Sequence, residues 1–79
     1  MDLDAAAALA AKAKESVREE SGRVLAEIDA YAALATGNPY ATHDDIQEAI
    51  EASRAAQDAV SEIKSAAIIG IDNGVKEIS

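Results

Sequence analysis

Seventy-nine residues without cysteine, carrying a formal net charge of -8, describe one small acidic domain, residues 1–79, that neither disulfides nor thiolate-bound metals can staple. Seven basic residues against fifteen acidic ones exclude the clustered Lys and Arg of a nucleic-acid phosphate surface and make an anionic membrane surface an unsuitable partner. About a quarter of the chain is alanine, the best helix former but a poor supplier of apolar area, so helicity is favoured more strongly than a self-sufficient core.

The first predicted element is a helix from about residue 2 to 36. Asp2 is a candidate cap, and Asp4 in the first turn faces the positive end of the helix dipole. The acidic start, Met1-Asp2-Leu3-Asp4, runs into alanines and does not read as a Sec signal peptide. That leaves the localisation undetermined: cytoplasmic, exported by a dedicated system, or part of a particle. Along this helix Val17, Val24, Ile28 and Tyr31 recur at three, four or seven residues and form one apolar stripe, while Glu19, Arg23 and Glu27 carry i,i+4 charge pairs off it. Ser21-Gly22 weakens the helix by about 1 kcal/mol relative to alanine and is a candidate site for a bend or a close helix approach.

Thr36-Gly37-Asn38-Pro39 is the one strong break. Gly37 or Asn38 is expected to take the left-handed conformation at the helix end, and Pro39 cannot continue the hydrogen-bond ladder. The turn therefore spans residues 37–42. Tyr40 lies within it, where it packs against the helix ends or makes a subunit contact.

Thr42 is placed to cap a second helix of about residues 43–69, with Asp45 completing a short-armed capping box. Ile46, Ile50, Val60 and Ile63 form its apolar stripe, expected to pair with Val17, Val24, Ile28 and Tyr31 inside the chain. Beyond Ala66 the apolar residues lie on all sides. The helix is read as continuing towards Ile78, the alternative being an extended arm from Ile71, since Asp72-Asn73-Gly74 equally spells a turn. Gly70 and Gly74 share a face that allows close helix approach. The fold class is thus all-α: a two-helix antiparallel hairpin that packs in an oligomer. Residues 66–79 are the expected assembly segment, with Ile68, Ile69, Gly70, Ile71, Gly74, Val75 and Ile78 as its self-association residues.

Chemistry is sparse. His43 beside Asp44, Asp45 and Glu48 offers metal-donor atoms, but a capping turn explains the acids without a metal. No serine or threonine has a histidine and carboxylate arrangement, and no glycine-rich loop follows a strand. No catalytic residue, metal site or cofactor is expected, and the apolar run from Ala66 to Ile71 is too short to span a membrane.

Three stretches, Gly37-Asn38-Pro39, Arg54-Ala55-Ala56-Gln57 and Ile63-Lys64-Ser65-Ala66-Ala67-Ile68-Ile69, resemble the needle and inner-rod family of type III secretion systems. That family consists of small subunits of similar length built as hairpins around an Asn-Pro turn. The resemblance covers about half the chain. It implies a helical polymer around a narrow export channel, with the C-terminal helix packed inward. The residues themselves lead to a non-enzymatic, self-assembling homo-oligomer. The alternatives are a small acidic chaperone or adaptor that binds a partner protein's helix, and a small virion component.

Overall fold

The computed structural model describes residues 3–78, with Ile78 described in its backbone alone. It consists of two helices, α1 (Leu3–Thr36) and α2 (His43–Ile78), joined by the turn at 37–42. They run antiparallel. Lys14 bonds Asp72 and Gln57 bonds Asp29, so a step of 15 residues forward on α1 is a step of 15 back on α2. The arms are matched in length, about 50 Å each at ~1.5 Å per residue, within a body 59 Å long. Asp2, read as the cap of the first helix, lies outside the described residues, as does the side chain of Ile78.

The turn is built differently from the sequence expectation. No described residue has a positive φ, so neither Gly37 nor Asn38 adopts the left-handed conformation. The last carbonyls of α1 are satisfied by other donors. The Gly37 N–H continues the α-helical pattern to the Ala33 carbonyl at 2.9 Å, and the Asn38 N–H tightens it onto Ala35 at 3.4 Å. The Thr36 hydroxyl also donates to Ala33, at 3.1 Å. A Cβ at Gly37 would lie 3.2 Å from the Ala33 carbonyl oxygen, so glycine serves there by its lack of bulk. Asn38 then opens a β-turn with Pro39 in its second position. Its carbonyl accepts from the Ala41 N–H at 3.1 Å, and its side chain accepts from the Tyr40 N–H at 3.0 Å.

The start of α2 follows the sequence closely. The Asp45 N–H donates to the Thr42 hydroxyl at 3.1 Å and the Thr42 N–H donates to the Asp45 carboxylate at 3.0 Å, which is the reciprocal capping box in its aspartate form. α2 continues unbroken through Asp72-Asn73-Gly74 to Ile78, so the extended-arm alternative is excluded. The ladder of α1 likewise passes Ser21-Gly22 without interruption.

The interior is thin. Among the described residues only Ala6, Ala49 and Ser53 are buried, and no large side chain is fully covered. Val17, Val24, Ile28, Ile46, Ile50 and Val60 lie along the seam, each half-buried. Two residues expected in that seam do not enter it: Ile63 is 68% exposed and Tyr31 is 54% exposed. The reason is geometric. Two helices touch along a narrow line, and a residue on the flank of that line has the partner on one side and solvent on the other. Opposite Tyr31 the flank of α2 carries Ala52 and Ala56, which are too small to reach over the ring.

Candidate assembly surface

The hairpin has two broad sides, and its side chains treat them differently. On one side the helices are tied by polar bridges. The Lys14 ammonium donates to Asp72 at 2.9 Å and the Gln57 amide donates to Asp29 at 2.7 Å. A shallow depression of about 370 Å³ beside the first bridge is lined by Ala7, Ala10, Ala11, Lys14, Asp72, Val75 and Lys76.

The other side is open and apolar. Val24, Ile28, Tyr31, Ala52, Ser53 and Ala56, edged by Glu27, line a groove of about 350 Å³. A second depression of about 270 Å³, lined by Glu20, Ser21, Val24, Val60 and Ile63, shares Val24 with the first and continues it. At ~100° per residue, Lys14 lies ~100° round α1 from Tyr31, and Asp72 lies ~180° round α2 from Ile63. The polar bridges and the apolar groove are therefore on opposite sides of the plane through the two helix axes.

Charge follows the same division. The flank of α2 that borders the groove is Ala49, Ala52, Ala56, Ala59, Ile63, Ala66 and Gly70, with no ionisable residue. On α1 the groove side carries one charged cluster, in which Arg23 donates to Glu20 and, at 3.3 Å, to Glu27. The hydrogen bond from Arg23, and then its charge, hold the Glu20 carboxyl below the usual carboxylate range; the same contacts raise Arg23. Two carboxylates share one guanidinium, so the cluster keeps one net negative charge. Leu34, seven residues after Glu27, lies on the same flank and is exposed.

Ser53 lies in the groove floor, buried. Its hydroxyl donates to the Ala49 carbonyl one turn back at 2.7 Å, so this polar atom makes no demand on a partner. Among the described residues no buried side-chain polar atom lacks a partner, and no group of three or more His, Cys, Asp and Glu is placed to hold a metal ion. No helix is long and apolar enough to cross a membrane.

The expected assembly segment is distributed over several environments. Ile68, Ile71 and Val75 are half-buried against α1, whose alanines at this level let α2 come close. Ile69 is 58% exposed on the outer side of α2. Gly70 and Gly74 are exposed, and a Cβ added at either would meet nothing within 4 Å, so neither glycine permits a close approach within the chain. Tyr40 projects from the turn, 91% exposed. The uncovered apolar surface is thus a side running much of the length of the hairpin, more than a patch at its tail. The signal for it was present in the sequence: between Ala49 and Gly74 the charged residues of α2 avoid one flank. Comparison of the chain with family models, with curated proteins and with solved structures finds no match.

Proposed function

We propose that this chain is a non-enzymatic structural subunit that self-assembles by packing helical hairpins side against side. The observation that carries the reading is the absence of a finished interior: among the described residues no large apolar side chain is fully buried, while Tyr31, Leu34 and Ile63 remain exposed along one side. An apolar surface of this extent is stabilised by a neighbour that removes it from water. The acidic, self-repelling remainder of the chain limits association to that surface.

A needle-like secretion filament is one architecture that such packing builds; a shell or a closed ring is another. Size-exclusion chromatography with light scattering, followed by electron microscopy of the eluted particles, tests the reading. The expected result is a mass at or above two chains with a uniform particle shape. A chain that stays monomeric at high concentration refutes self-assembly and favours an adaptor that waits for a different protein's helix.

A further inference from the structure

We infer that the open apolar side is the docking surface for a second copy of this chain, and that the two hairpins meet with their turns at the same end, closing a four-helix bundle. This rests on the self-assembly reading and goes further by naming the side, the partner and its direction.

Three observations select the occupant. The first is length. The charge-free flank of α2 extends from Ala49 to Gly74, on the order of 38 Å at ~1.5 Å per residue, and covering it takes a helix comparable in length to those of the hairpin itself. The second is area. The described hairpin exposes 5720 Å² over a slab 59 × 15 × 9 Å in Cα extent. One broad side carries roughly a quarter to a third of such a surface. A second copy laid along it removes on the order of 1,000 Å² per partner, above the about 800 Å² typical of a stable interface.

The third observation is charge, and it sets direction. Two twofold arrangements bring these sides face to face. With the turns at opposite ends and the arms fully overlapped, α1 lies on its own copy and the Glu20 carboxylates of the two chains meet at the twofold axis. With the turns together, α1 lies on α2 of the partner copy. The cross-helix bridges join residues whose numbers sum to 86, 14 with 72 and 29 with 57. That register brings Glu20 level with position 66 and Glu27 level with position 59 of the facing α2. Both positions are alanine on the charge-free flank, so like charges stay apart and the long Glu side chains reach out past small residues to water. The opposite side of the hairpin, crossed by Lys14–Asp72 and Gln57–Asp29, remains outside the bundle.

The chain has no cysteine, so a single spin label at Asn38→Cys reports on the turn without background. Electron paramagnetic resonance on the associated protein is expected to give a label-to-label distance below about 30 Å, from helices packed at 8–10 Å spacing. Turns at opposite ends would separate the labels by nearly the 59 Å length of the body, which overturns the proposed direction. Ala52→Glu puts a charge at an exposed position in the groove, where it leaves the hairpin foldable, and is expected to weaken association at least tenfold. Ile63→Lys, also at an exposed position, is expected to do the same, whereas Ile69→Asp on the outer side of α2 leaves association within twofold. Circular dichroism checks that each variant keeps its helix content. If the unmodified chain associates but Ala52→Glu and Ile63→Lys associate equally well, the docking side is wrong and self-assembly stands. If the unmodified chain is monomeric, both readings fall and the side is left to a helix of another protein.

Discussion

Gly22→Ala is predicted to stabilise the hairpin. Gly22 is exposed in the middle of α1, its φ is not positive, and a Cβ built on it meets nothing within 4 Å. Glycine therefore does nothing sterically at this position that alanine could not do. What remains is its intrinsic penalty in a helix interior, about 1 kcal/mol relative to alanine, which arises from backbone entropy and lost coverage of the backbone. For a chain of this size that corresponds to a rise in Tm of about 4–8 °C. The assay is thermal unfolding followed by circular dichroism at 222 nm, at matched protein concentrations, with light scattering to confirm an unchanged mass. Gly22 is two residues before Val24, ~200° round α1 from it and away from the apolar groove, so assembly through the groove is not touched. A lower Tm, or a loss of mass, would refute this reasoning. Either result would place a neighbouring chain against Gly22 and put the contact on the wrong side of the account.

Three further predictions test the hairpin itself. Thr42→Ala removes the hydroxyl that accepts from the Asp45 N–H and is expected to cost about 1 kcal/mol, read as a lower urea midpoint with an unchanged slope. The Lys14–Asp72 bridge is partly exposed, so a double-mutant cycle with alanine should give a coupling of no more than about 1 kcal/mol, shrinking in 1 M salt. Asp45 is held below the usual carboxylate range by the Thr42 backbone N–H first and the Thr42 side chain second. A depressed folded-state pKa means stability present above the unfolded carboxylate range and lost as pH falls through the folded value. The Tm difference between the unmodified chain and Asp45→Asn should therefore be largest near neutral pH and close on acidification; a difference independent of pH would contradict the capping role.

Local features of the sequence carried most of the fold. Pro39 after Gly37 and Asn38 marked the break, and Thr42 with Asp45 marked the restart, because each depends on bonds spanning three or four residues. The continuation of α2 to Ile78 was less visible. Asp72-Asn73-Gly74 is good turn chemistry in isolation, but here it forms part of α2 beside the alanine-rich start of α1, with Asp72 tied to Lys14. Propensity at three residues yielded to tertiary packing.

The conformation of the turn departs from its sequence pattern for a related reason. A glycine after a helix suggests a left-handed cap, but a Thr hydroxyl and a tightened last turn already satisfy the carbonyls that such a cap would serve. The exposure of Ile63 and Tyr31 and the difference between the two sides could not be read from either helix separately. Both follow from register, that is, from 14 lying beside 72 and 29 beside 57, and register is a property of the pair. Helical periodicity finds the stripe that faces a partner. It does not say which of the two flanks of that stripe the partner leaves bare.

On the proposed self-assembly, folding and association of this chain are one process, because neighbouring copies cover apolar surface that the hairpin leaves open. The thermal midpoint measured over a hundredfold range of protein concentration tests it most directly. If copies cover that surface, the midpoint climbs steadily with concentration, as mass action requires when the assembled form is the stable one. A midpoint that stays fixed across the range, with the mass of one chain throughout, would contradict it.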